Sequence, residues 1–345
     1  MKSFAPLLIE WYHRNKRSLP WRGQHQAYYT WVSEIMLQQT RVEAVKPYFL
    51  RFVEELPDVF ALADCDPDRL LKLWEGLGYY SRVKNMQEAA KTITTEYHGV
   101  IPDSFDALLK LKGIGRYTAA AIASIAYGEK AACVDGNVLR VFMRLTENPA
   151  DIRKAAVKRE VEKELEEMMP AEAPGDFNQA MMELGALICV PNGLPKCGEC
   201  PLRRQCLAFL HDTVSLYPGK TAAKEREKED RTILILQDEE GTAVRKRPPG
   251  VVLAGLYEPV NIPGHLSEQE VQAWAERAGL HPIEIEALPA SRHVFTHLEW
   301  RMKAYRIRVG TLEGIENKEV PALVRMKKEE YAIPSAFRAY KDMIY

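Results

Sequence analysis

Four cysteines fall within LICVPNGLPKCGECPLRRQC, spaced C-x7-C-x2-C-x5-C at Cys189, Cys197, Cys200 and Cys206. Thiolates this close together can wrap one soft metal centre. A zinc ribbon usually carries two C-x2-C pairs about 15–20 residues apart, and only one such pair is present. A 4Fe-4S cluster held by four cysteines suits the spacing better. Lys196, Arg203 and Arg204 surround the loop and could touch phosphates. The other two cysteines, Cys65 and Cys133, stand alone.

Two carboxyl residues stand in contrasting local sequence. Glu34 lies inside the apolar helical run WVSEIML, between Trp31, Ile35 and Leu37. Burial there would raise its pKa and keep it partly protonated near neutrality, as a general acid requires. The ordinary alternative is an exposed helix glutamate. Asp135 lies in VDGN, ahead of the helical run NVLRVFMRL. By residue type alone it reads as a turn or helix cap. A third feature is LKGIGRYTAAAIASIA, where Gly113 and Gly115 open an alanine-rich helix after the helical run SFDALLKL. Helix, glycine hairpin and helix together present backbone N–H groups at a helix N-terminus. That arrangement suits a nucleic-acid phosphate without reading sequence.

The elements around these residues divide the chain. Apolar positions recur at the helical period through residues 3–215, for example in TWVSEIMLQQTRVEAVKPYFLRFVEEL and FNQAMMELGALI. GKTAAKEREKEDR is charged and lacks large apolar residues, so it reads as a linker. Beyond it TILILQ, TAVRKR, YEPVNI and RMKAYRIRV have strand character, and SEQEVQAWAERAGL is an amphipathic helix. The expected organisation is a mainly α region over residues 1–218, a linker at 219–230 and a smaller α+β domain over 231–345. No internal repeat is visible.

Bulk properties fit a globular chain of two domains. The 345 residues are 46% hydrophobic and 28% charged, with a net charge of −1. That balance does not announce a nucleic-acid binder, although a local basic face suffices for one. No apolar run reaches the roughly 18 residues of a membrane span, and the N-terminus does not read as a signal peptide. The expected compartment is the cytoplasm, with no membrane partner.

The motifs LPW, SEIMLQQT, EGLGYYSR, GIGRYTA and VDGNVLR, with the cysteine loop, resemble the MutY family of adenine DNA glycosylases. These belong to the helix–hairpin–helix superfamily, and the resemblance covers residues 3–215. It implies two helical lobes, a 4Fe-4S cluster on the four cysteines, and a monomer. It implies a duplex DNA partner with adenine opposite 8-oxoguanine or guanine. The flipped adenine would be protonated at N7 by Glu34. Asp135 would stabilise the oxocarbenium-like sugar, electrostatically or through an adduct, with Asn137 beside it. Tyr117 stands where endonuclease III-like relatives carry the lysine that forms a Schiff base. A phenol cannot form that imine, so glycosylase chemistry without lysine-based strand cleavage is implied. Gln39, Leu77 and Tyr79 match intercalating residues, and Trp21 and Arg22 match the adenine pocket.

Three departures accompany the resemblance. Lys112 stands where the family has proline in its LPG hairpin, and the first cysteine gap has seven residues rather than six. The C-terminal part is Nudix-like but lacks the glutamate-rich metal-binding helix, so lesion recognition rather than hydrolysis is implied. There Phe295-Thr296-His297 replaces the family's Phe-Ser-His turn. Threonine keeps the hydroxyl and adds a methyl. The competing readings are an endonuclease III-like pyrimidine glycosylase with lyase activity, disfavoured by Tyr117, and a non-catalytic lesion binder, disfavoured by Glu34 and Asp135.

Overall fold

The computed structural model describes residues 4–23, 26–219, 225–315 and 322–345. The chain divides into two compact units, Met1–Asp64 with Lys84–Ala222, and Cys65–Val83 with Ala223–Tyr345. In the first unit α1 (Ala5–Asn15), α2 (Ala27–Leu37), α3 (Val42–Glu55) and α4 (Val59–Asp64) come first. Helix α5 (Pro67–Leu73) falls in the second unit, and α6 spans Ser81–Glu96. The rest of the first unit comprises α7 (Phe105–Leu108), α8 (Arg116–Tyr127), α9 (Gly136–Thr146), α10 (Ala155–Met168), α11 (Pro174–Leu187) and α12 (Leu207–Leu210).

The helical periodicity places apolar faces inward. Phe4 and Leu8 of the α1 region, Phe142 of α9, Val161 of α10 and Phe177 and Leu184 of α11 form one buried core. Helix α11 approaches α8 closely: a Cβ on Gly175 would stand 2.8 Å from the Ser124 carbonyl oxygen. The long helical run around residue 38 is not continuous. It breaks after Leu37, and Gln39 takes φ +59° before α3 begins.

The second unit is built on a mixed sheet. Its strands are β1 (Glu227–Asp238), β2 (Gly241–Lys246), β3 (Tyr257–Glu258), β4 (Val260–Pro263), β5 (Pro282–Val294), β6 (Leu298–Val309) and β7 (Leu323–Arg325). The order is β3-β2-β1-β6-β5, with β4 also on β1 and β7 on β2. Only the β1–β6 ladder is parallel among these pairs. The run TILILQ is apolar at consecutive positions because both faces of β1 are covered. Leu234 and Leu236 face α13 (Glu268–Arg277), packing with Val271 and Trp274. Ile233 and Ile235 face the opposite core, with Trp300, Phe337 and Tyr340 near α14 (Lys341–Ile344). Ser267 and Glu270 close a capping box at the start of α13.

The boundaries expected from sequence need two corrections. Strand β1 begins at Glu227, inside the 219–230 stretch read as linker; residues 220–224 lie outside the described residues. The charged start of β1 is a strand because its backbone pairs with β6, from Glu227 opposite Leu298 onward. Residues 65–83, expected within the helical region, group with the C-terminal unit. Non-local polar contacts cause this, among them Asp68 with Tyr257 and Lys72 with the Tyr331 carbonyl. Among the described residues, no helix is long and apolar enough to cross a membrane.

Candidate active site

A cavity of about 1130 Å³ opens in the first unit. Its walls include Glu34, Tyr117, Asp135 and Asn137, together with Trp21, Arg22, Gln39, Gly113 and Gly115. These residues come from α2, α8, the start of α9, the hairpin, the segment before α2 and the turn after it. The remaining predicted contacts, Leu77, Tyr79, Phe295, Thr296 and His297, belong to the second unit.

Glu34 is 8% exposed on α2. Loss of water raises its pKa to about 7, and the Asp135 charge adds to the rise. A hydrogen bond from Tyr117 and the Arg22 charge oppose it. The carboxyl is therefore neutral in a large fraction of molecules near neutrality. Tyr117 lies in the first turn of α8, and burial, then Glu34 and Asp135, push its phenol well above its ordinary range. Its hydroxyl also lies 3.1 Å from Met182 Sδ. One phenol proton can serve only one of these acceptors at a time. Ionised Glu34 is the stronger acceptor, so the proton follows the charge on Glu34.

Asp135 is the N-cap of α9, and Oδ1 accepts from Val138 N at 2.8 Å. Its second oxygen accepts from Asn137 Nδ2 at 3.0 Å. The capping role that residue type suggests is thus real, and the same carboxylate faces the cavity beside Glu34. Asn178 anchors the preceding segment. Its Oδ1 accepts from Cys133 N at 2.9 Å, and its amide nitrogen donates to Ser124 Oγ and the Ala131 carbonyl.

Behind Asn137 stands Arg140, a buried guanidinium that sequence reasoning missed. It donates to Asn137 Oδ1 and the Gly185 carbonyl, both at 2.8 Å, and to the Cys189 carbonyl at 2.7 Å. Asn137 and the first cysteine of the loop therefore share one rigid fork. Gly185 leaves the room: a Cβ there would stand 2.7 Å from Asn137 Cβ. Glu183 was missed as well. Burial raises its pKa, but hydrogen bonds from Arg17 and Arg22 outweigh that and hold it at about 2. Glu183 Oε2 takes Arg22 at 2.8 Å, fixing that side chain in the cavity wall. Arg140 and Glu183 carry no local sequence signal, since the Gly185 and Cys189 carbonyls that hold Arg140 and the arginines that hold Glu183 lie 45 or more residues away.

The two hairpin glycines differ. Gly113 has φ +78°, and a Cβ would stand 2.6 Å from Asn85 Cβ. Gly115 is the extended N-cap of α8, with nothing within 4 Å of an added Cβ. Gly113→Ala is expected to cost about 1–2 kcal/mol from its backbone conformation alone. Thermal melting of the variant checks this, and Gly115→Ala should melt closer to the parent.

The four cysteines line a second, smaller pocket walled by Leu184, Ile188 and Leu202. None of them forms a disulfide. Arg144 Nη1 lies 3.3 Å from Cys189 Sγ and donates to the Val190 carbonyl at 3.1 Å. Burial pushes the Cys200 thiol up to about 12 and raises Cys197 and Cys206. Among the described residues no three side chains converge to hold a single metal ion. The four thiols share one pocket, consistent with a cluster-binding loop.

In the second unit Gly76 and Gly78 have φ +105° and +69°, and Tyr79 takes φ +46° between them and α6. Tyr79 is 45% exposed while Leu77 is 6% exposed, so only Tyr79 presents its side chain at the surface. Arg82 donates to the Leu77 and Gly78 carbonyls and lies over the Tyr79 ring. Phe295-Thr296-His297 forms the turn between β5 and β6. Phe295 packs edge-on against His293 and Trp300. The exposed Thr296 hydroxyl is 2.8 Å from Tyr79 Oη.

Residues 32–170 match the HhH-GPD superfamily of base excision DNA repair proteins, and residues 231–343 match the NUDIX domain. The chain is 32% identical over 307 residues to an adenine DNA glycosylase of Buchnera aphidicola subsp. Acyrthosiphon pisum, covering 89% of this chain and 87% of that one. The adenine DNA glycosylase of Mus musculus is 31% identical, over 99% of this chain and 78% of its own. The chain belongs to the adenine DNA glycosylase family. It is a hydrolase of base excision repair, and DNA is its substrate. A thermostable thymine-DNA glycosylase superposes with a TM-score of 0.55 and 28% identity, over 61% of this chain and 96% of that one.

Proposed function

We propose that this adenine DNA glycosylase removes adenine paired with 8-oxoguanine or guanine, by hydrolysis without a lysine Schiff base. The observation that carries the mechanism is the neutral-leaning Glu34 and the twice hydrogen-bonded Asp135 on one cavity. Two carboxyl groups in different environments divide acid and electrostatic roles, as in glycoside hydrolysis.

With adenine in the cavity, Glu34 donates its proton to N7. The bond between N9 and C1′ then breaks, its electron pair leaving with the base. Positive charge grows on the sugar and faces Asp135, which Asn137 and Val138 hold in place. Water adds to C1′ as Glu34, now a carboxylate, takes its proton. Tyr117 follows with its hydrogen bond, neutral throughout. Trp21, Arg22 and Gln39 line the path of the base, and Gly113 and Gly115 present backbone to the DNA phosphates. Tyr79, with Leu77 behind it, fills the vacated stack, while Phe295, Thr296 and His297 read the opposite base.

Cys189, Cys197, Cys200 and Cys206 would hold a 4Fe-4S cluster, which would supply a fixed anchor for the loop rather than a reaction step. Arg140 carries that anchoring to Asn137. Iron and sulfide analysis of the purified protein tests the cluster; fewer than four of either per chain would count against it.

The activity test uses duplexes with adenine opposite 8-oxoguanine, guanine or thymine, scored for abasic sites before and after alkali. Adenine loss with strand breaks only after alkali is expected. Lys158 also lines the cavity, so the duplex is treated with borohydride in parallel. A covalent protein–DNA adduct would overturn the absence of Schiff-base chemistry.

A further inference from the structure

The turn bearing Leu77 and Tyr79 is fastened to the C-terminal domain at its far end as well as at Thr296. Glu75, two residues before Leu77, is the hub. Its Oε1 accepts from Ile333 N at 3.0 Å and from Tyr345 Oη at 2.7 Å. Its Oε2 pairs with Lys72 Nζ at 2.8 Å, and the same ammonium donates to the Tyr331 carbonyl at 3.1 Å. The Lys72 and Glu75 side chains are only 20% and 18% exposed. Shielding from water makes such charged hydrogen bonds stronger than surface pairs. The Tyr345 ring is gripped in turn by Lys72, Lys328 and Lys341 at 5.1–5.7 Å. Residues more than 250 positions apart in sequence thus meet at one carboxylate.

We propose that Glu75 is a positioning residue that locks the intercalating turn to the lesion-reading domain, so that recognition of the opposite base and filling of the stack occur as one motion. This rests on the reading of Tyr79 and Phe295–His297 as opposite-base contacts. The physical reason is orientational. Tyr79 and Thr296 are held 2.8 Å apart, and both lie at strained or exposed turns. Without a second fastening, the turn could pivot on that one hydrogen bond. Holding two contacting groups in one geometry removes the entropy cost of bringing them together at each encounter.

The test measures single-turnover adenine release opposite 8-oxoguanine and opposite guanine in the full-length chain. Glu75→Ala is compared with Glu75→Gln and Tyr345→Phe. A fluorescent base placed beside the adenine reports stacking by Tyr79. Glu75→Ala is expected to lower the ratio of the two rates roughly tenfold, the scale of one hydrogen bond to a charged group, and to weaken the stacking signal. Tyr345→Phe should lower the ratio less. Glu75→Gln should restore part of it, since its side-chain oxygen still accepts a hydrogen bond. A merely structural role would lower both rates together with melting temperature and leave the ratio intact; that result would overturn the proposal. If the parent chain itself shows no preference between the two opposite bases, the reading of the C-terminal domain fails, and this inference with it. A parent preference retained in Glu75→Ala sinks only the inference.

Discussion

Asp135→Asn is expected to slow adenine release by about 10³-fold or more while DNA affinity changes little. Loss of one preorganised electrostatic group in a water-poor site costs about 10²–10³ in rate, and here the lost charge faces a full developing cation. The asparagine keeps an oxygen for Val138 N or Asn137 Nδ2, so the N-cap and the start of α9 survive. The variant should therefore fold, bind and fail at the chemical step. Single-turnover kinetics and a filter or gel titration on the same duplex measure the two properties. Turnover near the parent value would remove Asp135 from the mechanism.

Glu34→Gln is expected to reduce the rate by about 10²–10⁴-fold, the usual worth of a general acid, and to change the pH profile. In the parent, the acid form of Glu34 is depleted as pH rises through about 7. The kcat/KM profile should therefore fall on its alkaline side, and that limb should vanish in the variant. Stability should fall with rising pH as well. The folded-state pKa is raised above the unfolded value of 4.5. Below pH 4.5 both states hold the proton; between there and pH 7 the unfolded state loses it first. Stability thus falls across that window, by about 3 kcal/mol once Glu34 ionises in the folded state. A neutral glutamine avoids this cost, so Glu34→Gln should melt higher than the parent at pH 8 and nearly level with it at pH 4.5. A lower melting temperature at pH 8 would mean that Glu34 is not a buried, water-deprived acid.

Much of the second unit's sheet was legible because its strands obey burial. Ile233 to Leu236 are apolar without a break since both faces of β1 are covered, and β6 alternates against two cores. Strand β5 escaped notice. PIEIEALPASRHV interrupts its alternation with Pro289, and most of its side chains are exposed. At a sheet edge, backbone pairing with β6 decides the conformation, and side chains need carry no pattern. The helices were read well in kind and less well in extent. The breaks at Gln39 and at Gly76–Tyr79 are set by left-handed backbone, which only the glycines advertise.

By itself, the amino-acid sequence marked Glu34 as a buried carboxyl, Asp135 as a helix cap, and the cysteine set and glycine hairpin, because these depend on residue chemistry and local spacing. Glu34 announces burial through its apolar neighbours in one helix, and Gly113 announces a backbone that other residues resist. Tertiary structure alone decided what those groups become. It placed Asp135 on the same cavity as Glu34, joined Asn137 to Cys189 through Arg140, and clamped Arg22 on Glu183. It also moved residues 65–83 into the C-terminal unit. Each of these turns on side chains that meet across 45 to more than 250 residues of chain. A pattern of local period carries no record of such encounters, since it reports which face of an element is apolar and not what that face, or a buried charge upon it, will meet.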